Sequence, residues 1–361
     1  MAPIGERIRH ARRMAGLSLR NLAGEVDVSA QAISKYERGM DVPSSGVLLQ
    51  LAKALDVKVE FFLRPVTLKL TTPAFRKRTA LPGKQEQAIR AKVQDWLERY
   101  VETESLISDE SVRRFEFPKG FPRRVETLAA VEDAAVALRC AWDLGLDPIE
   151  NLTSVLEDRG IKVGLVEGHQ AFDALTLKAN GCPVIVVRDD LPGDRQRLSV
   201  AHEVGHLFLE PTEGVDVEKA AYRFAAAFLV PDEVARYELS PPRRWFDSME
   251  LHLLKHKYGL SMQAWVYRAK DLGIISESSA VQFFRVFRQN GWHRQEPGDQ
   301  LPPERPSRME RLILRLLTED VISERRATEL LGKPLKQFRK EASREHQGLP
   351  VGNRHGHECL D

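Results

Sequence analysis

The stretch 194–210, DRQRLSVAHEVGHLFLE, decides how this chain is read. His202 and His206 are four residues apart, and Glu203 directly follows the first. On a helix, residues four apart share a face, so both imidazoles can reach one ion. Glu203 lies about 100° further round, where its carboxylate can meet a water beside that ion without being a ligand. Two His ligands and a Glu base form the HExxH arrangement of zinc hydrolysis. The ion acidifies water and polarises a carbonyl, and the Glu carries the proton to the leaving amine. The rival reading is an ordinary helix whose two histidines pack or hydrogen-bond with no metal.

A catalytic zinc site needs a third protein ligand and an open position. Three carboxylates compete. Glu210 is four after His206, but Pro211 should end the helix there. Glu213 lies in the turn, and Glu218 opens the next apolar-periodic run, EKAAYRFAAAFLVP (218–231). A short turn over 211–216 would make the two helices antiparallel neighbours, with alanines 221, 225 and 226 permitting close approach. That geometry favours Glu218, with Glu210 next. Before the motif come three β-like runs, IKVGLVE (161–167), FDALTLK (172–178) and PVIVVR (183–188).

The chain has 361 residues, room for two or three domains, and an ordinary apolar content of 42%. With 54 basic against 52 acidic side chains, any nucleic-acid affinity must come from a local patch. Cys140, Cys182 and Cys359 are far apart and form no Cys-x-x-Cys pair, which argues against a disulfide framework. MAPIGERIRHARR has no apolar signal core, and FAAAFLV is too short to span a bilayer, so a cytoplasmic chain without membrane partners is expected. Residues 65–83, with three prolines, read as a linker, followed by a long amphipathic helix over 84–107. FPKGFP (117–122) breaks the chain, and a helix is expected over 123–143. LHLLKHKYGLSMQAWVYRAKDLG (251–273) reads as helix, tight turn, helix, and GDQLPPERPS (298–307) as a second linker. The last helical run is 309–338, and the many basic residues over 305–344 read as a solvated helical face rather than a second DNA site. In the tail, RHGHECLD, the residues His355, His357, Glu358 and Cys359 read as incidental polar groups; His252 and His256 lack the following Glu.

Near the N-terminus, LRNLAGEV (19–26), DVS (27–29) and AQAISKYER (30–38) read as helix, turn, helix. Ala23, Val28 and Ile33 fall where two such helices pack. The run SLRNLAGEVDVSAQAISKYERGMDVPSSGVLLQLAKALDV (18–57) resembles the phage-repressor-like (XRE-family) helix–turn–helix. By position on the second helix, Ser29, Ala30, Gln31, Ser34 and Lys35 would face a major groove. Gln31 could read an adenine edge, and Lys35 and Arg38 could neutralise phosphates. The resemblance implies binding to a double-stranded operator as a homodimer. The family's usual Gln at the start of the first helix is Leu19 here, so that backbone contact is lost or taken by Arg20.

DRQRLSVAHEVGHLFLEP with VEKAAYRFAAAFLVP resembles the ImmA/IrrE metallopeptidases. That family pairs a His-Glu-x-Gly-His helix with a Glu-x-x-Ala-x-x-Phe-Ala helix ending in Pro. Glu218, Ala221, Phe224, Ala225 and Pro231 match the second element, while Tyr222 stands where the family often has Asn. The resemblance implies zinc on His202, His206 and Glu218, with Glu203 as catalytic base. The fold expected is mainly α with a small β-sheet (α+β). It comprises a five-helix repressor-like domain (1–64), a linker with an amphipathic helix (65–122), a zincin-like metallopeptidase domain (123–297) and a C-terminal helical hairpin (307–345). The function implied is a DNA-binding regulator whose zinc endopeptidase cleaves a repressor or antitoxin-like protein. The alternative is a non-proteolytic regulator, antitoxin-like, that uses the metal domain for sensing or interaction.

Overall fold

A computed structural model describes residues 4–64, 68, 70–71, 83–107, 112, 114–167, 172–240 and 244–338. The tail residues His355, His357, Glu358 and Cys359, read as incidental polar groups, and most of the proline-rich 65–83 linker lie outside these residues. The chain divides into two compact units, Met1–Glu98 with Val112–Pro306, and Arg99–Ser111 with Ser307–Asp361.

In the first unit, α1 (Ile4–Met14), α2 (Leu19–Glu25), α3 (Ala30–Glu37), α4 (Ser45–Ala54) and a 3-10 helix (Val59–Leu63) enclose one core around Ile8, Leu22, Ile33, Leu51 and Phe62. The expected five helices are present, the fifth wound as 3-10. Ser18, Ser29 and Ser44 each cap a helix by accepting the backbone N–H three positions on. Gly5 lets α1 cross α3 closely: a Cβ there would lie 2.0 Å from the Tyr36 carbonyl oxygen. Arg12 clamps the crossing by donating to both carboxylate oxygens of the buried Glu37, at 2.5 and 2.9 Å.

After β1 (Leu70–Thr71) comes α5 (Gly83–Ser105). Within this unit α5 touches the helix–turn–helix through Glu98, which pairs with the fully buried Arg7 at 2.6 Å. It touches the sheet through Trp96, whose ring occupies the space a Cβ on Gly164 would need. Then follow β2 (Arg123–Val125), α6 (Leu128–Ala141), α7 (Leu152–Glu157), β3 (Lys162–Val166), β4 (Ala174–Ala179), β5 (Cys182–Arg188), α8 (Gly193–Phe208), β6 (Leu209–Pro211) and α9 (Val217–Leu229). The three β-like runs of the sequence are β3, β4 and β5. The sheet order is β1-β4-β5-β3, with β3 parallel and β4 antiparallel to β5. The helix expected over 123–143 starts late. Arg123–Val125 pairs in parallel with β6, and Thr127 caps α6 by accepting from Ala130 N–H.

α10 (Asp232–Glu238), α11 (Ser248–Tyr258), α12 (Met262–Asp271) and α13 (Glu277–Gln289) complete the unit. Gly259, at φ 69°, ends α11, and Ser261 caps α12, giving the tight turn read from the sequence. In the second unit, α14 (Arg308–Thr318) and α15 (Glu324–Leu331) form the expected hairpin over Ile313, Leu316, Ala327 and Leu330. No described helix is long and apolar enough to cross a membrane.

Two buried polar networks hold α8 and α9 at their far ends. Residues 301–304, expected as linker, instead strap the start of α8. Gly193 N–H donates to the Leu301 carbonyl at 2.9 Å, and the Glu304 carboxylate accepts from Leu152 and Thr153 N–H and pairs with Arg197. Beside them Lys255, fully buried, lies 3.1 Å from both Asp194 and Glu296. At the C-terminal end of α9, buried Arg139 donates to the Phe228 carbonyl at 2.6 Å and Arg268 to the Val230 carbonyl at 3.0 Å. Both cations face the negative end of the helix dipole. Burial lowers the Arg139 pKa from its ordinary value, and the charges of Asp147 and Cys140 work against that shift.

Lys255→Ala would leave Asp194 and Glu296 buried without their shared cation. We expect it to lower unfolding stability by about 3–5 kcal/mol in urea titrations. Arg124→Ala, at an exposed pair, should cost less than about 1 kcal/mol.

Candidate functional site

The His-Glu-x-x-His stretch lies in the last two turns of α8, and Glu218 in the first turn of α9. Asp216 caps α9 by accepting from the N–H groups of Glu218 and Lys219, each at 3.0 Å. This fixes where Glu218 leaves the backbone. The two helices meet at Gly205, where an added Cβ would lie 3.1 Å from Ala221 Cα and 3.3 Å from Phe224 Cβ. A larger residue would hold α9 away.

The result is a convergent donor set. His202 Nε2 and His206 Nε2 stand 3.0 Å apart, and each is 3.4 Å from a different oxygen of Glu218. His202, His206 and Glu218 offer ligand atoms that all lie within 4.8 Å of one another. Two imidazole nitrogens and a carboxylate on a concave wall are the donor types and number of an open zinc site. Glu210 is not among them. It is exposed on β6, beyond the helix end, opposite Arg124 in the β2 pairing. Glu213 lies in the turn before α9.

Glu203, half-buried, lines the same groove as the donors, and its Oε2 accepts from the Thr176 hydroxyl on β4 at 2.7 Å. Burial pushes its pKa up to about 7. The Thr176 bond works against this shift, and the Glu218 charge adds to it. Thr176 was not visible as a functional residue in the sequence, because its role depends on the sheet register. Tyr222 was named there only as a departure from the family. It is 44% exposed, sets its ring 4.2 Å from that of His202 and lines the same groove. A groove of about 1450 Å³ runs past this site, with Phe172, Leu175 and Thr176 on the β4 side and His206, Glu218 and Tyr222 opposite. His252 and His256 lie elsewhere, on α11, and His256 bonds the Asp299 carbonyl at 3.1 Å.

On α3, Gln31, Lys35 and Arg38 are exposed and Ser34 is half-buried. Ser29 spends its hydroxyl on the cap of α3, accepting from Ala32 N–H at 3.1 Å, and Arg38 Nε donates to the Ser34 carbonyl at 3.2 Å. Ala23 and Ile33 are buried between α2 and α3, and Val28 is partly buried beside them.

Comparison with known proteins agrees with both halves. Residues 8–62 match the helix–turn–helix family model, and residues 157–270 match the IrrE N-terminal-like domain, Peptidase M78. A transcriptional regulator in the ATPase CF(0) region of Rhodospirillum rubrum is 41% identical over 61 residues, 17% of this chain and 56% of its own. An HTH-type transcriptional regulator of Mycobacterium tuberculosis is 37% identical over 91 residues, 24% of this chain and 65% of its own. The chain thus spans between half and two thirds of the length of these relatives. The crystal structure of ComR from Streptococcus suis aligns over 95% of this chain and 96% of its own, but 12% identity and a TM-score of 0.17 carry no argument. The chain joins an XRE-type helix–turn–helix, the architecture of DNA-binding transcriptional regulators, to an ImmA/IrrE-like domain of a metallopeptidase family.

Gly205→Val should push α9 off α8 and move Glu218 from the histidines. We expect a loss of about 1–3 kcal/mol in stability and at least a ten-fold weaker zinc affinity in chelator competition. Unchanged affinity would show that Glu218 is not a ligand.

Proposed function

We propose that this protein is a DNA-bound regulator carrying a zinc endopeptidase that cleaves a repressor or antitoxin-like partner. The carrying observation is the meeting of His202, His206 and Glu218 at one point with Glu203 alongside. These residues suit Zn²⁺, which when bound acidifies water and polarises a carbonyl. His202, His206 and Glu218 hold the ion. Glu203, raised towards neutrality and steadied by Thr176, takes a proton from the attacking water and returns it to the leaving amine. The groove is large enough for an extended peptide.

In this reading residues 1–64 are the DNA-binding domain, 123–297 the peptidase domain and 307–345 an accessory helical segment. Gln31 and Ser34 contact base edges, Ser29 sets the start of the reading helix, and Lys35 and Arg38 neutralise phosphates, with a homodimer on two half-sites. Tyr222 favours a second reading. Its ring lies beside His202 in the groove, and a side chain there would suit a metal domain kept for sensing without proteolysis.

The two readings separate on one substitution. Glu203→Gln should reduce cleavage of a neighbour-encoded repressor or antitoxin-like protein by at least about 10²-fold, within the range for losing a general base. Zinc content and operator binding should not change. Equal cleavage by both chains would remove Glu203 from the mechanism, and no metal-dependent cleavage by the wild type would leave the sensing reading. Lys35→Ala should weaken operator binding across sequences and lower its salt slope by about one unit, measured by anisotropy at several salt concentrations.

A further inference from the structure

α9 brings more than Glu218 to the donor set. Glu218 and Tyr222 are four residues apart on this helix, so they leave it on one face. Glu218 reaches both histidines. Tyr222 lays its ring against His202, with centroids 4.2 Å apart and planes at 48°. His206 meets the same imidazole edge-on, at 4.6 Å and 87°. The buried His202 ring thus has one aromatic neighbour from its own helix and one from α9.

The other histidine pair of the chain shows what helical spacing supplies without α9. His252 and His256 have the same spacing on α11, and their ring centroids are also 4.6 Å apart, with planes at 61°. These rings turn to the loop at 298–299. His256 Nε2 donates to the Asp299 carbonyl at 3.1 Å, and the His252 ring occupies the space a Cβ on Gly298 would need. Among the described residues, no carboxylate completes that pair as a ligand group. The helix therefore sets the ring separation, and neighbours from other elements set where the nitrogens aim. At α8, α9 adds a carboxylate and an aromatic ring.

We propose that Tyr222 is a positioning residue of the metal site, whose ring holds the His202 imidazole so that Nε2 aims at the meeting point of His206 and Glu218. This role rests on the metal reading of the site and not on proteolysis. The χ2 torsion of histidine is broad, so the backbone leaves the imidazole orientation loosely set. Ordering a loose ligand whenever an ion binds costs affinity. A neighbour that keeps the ring in place removes part of that cost, as partners of ligating histidines do. The contact also favours the loaded state. An imidazole that gives its lone pair to a cation becomes electron-poor, and an aromatic π system attracts such a group. Neither effect needs the phenol hydroxyl. Phenylalanine should therefore replace Tyr222, whereas leucine, apolar but without a π face, should not.

Zinc competition against a chromogenic chelator on the full chain tests this role, with cobalt(II) spectra as a second readout. Tyr222→Leu is expected to weaken zinc binding about ten-fold or more and to shift the cobalt d–d bands, while Tyr222→Phe stays within about two-fold of the wild type with unchanged bands. Thermal unfolding of the metal-free chains controls for folding. Should Tyr222→Leu not fold, Tyr222→Met, another good helix former without a ring, takes its place. A folded Leu or Met variant that holds zinc as the wild type does overturns the proposal. So does a Tyr222→Phe chain that loses zinc as the Leu variant does, because the hydroxyl would then be the acting group. A wild type that binds no zinc removes the metal reading and this role with it. A wild type that binds zinc but is indifferent to residue 222 removes only the role of Tyr222.

Discussion

The close approach of α8 and α9 at Gly205 is the constraint on which the site depends. Without a side chain at Gly205, Ala221 and Phe224 pack directly against α8. Only then does the first turn of α9 lie level with the last turns of α8, where Glu218 meets His202 and His206. The approach is held from a distance. Leu301 and Glu304 strap the start of α8, Lys255 bridges Asp194 and Glu296 beside it, and Arg139 and Arg268 satisfy the terminal carbonyls of α9. Lys255, Asp194, Glu296, Arg139 and Arg268 are buried, Glu304 is largely so, and each is partnered, which is what makes such groups tolerable in a core. The donor residues can then remain partly open to the groove while their helices stay fixed.

Much of this was legible in the sequence, and the reasons are local. The spacing of His202, Glu203 and His206 reports its own geometry, because the helical period alone sets it. The β-runs before it and the alanine-rich helix after it have clear periods, so Glu218 could be favoured over Glu210. Pro211 was the right signal: α8 ends at Phe208, and Glu210 goes to a strand. The helix–turn–helix was legible for the same reason, through its serine caps and short apolar spacing.

What stayed hidden depends on partners distant in sequence. β2 and β6 are three residues each and pair across more than eighty positions, too short to show a period. The strap at 301–304 has the composition of a linker, and only its contacts with Gly193, Gln196 and Arg197 make it structural. Thr176 is one threonine among several until the sheet sets it beside Glu203. The role of α5 was likewise invisible. Its Glu98 meets buried Arg7 of the helix–turn–helix and its Trp96 fills the space over Gly164. His10 faces the same helix, and burial, with the Arg7 charge, lowers its pKa to about 4, so it packs as a neutral ring.

X-ray absorption at the zinc edge of the loaded full chain tests the central claim most directly. The account predicts one zinc per chain with two imidazole nitrogens and at least one carboxylate oxygen, all near about 2.0–2.2 Å. Glu218→Ala should lose the carboxylate and keep both imidazoles. A bound zinc whose imidazole scattering survives His202→Ala and His206→Ala together would contradict the account, because the ion would then lie away from the meeting point of α8 and α9.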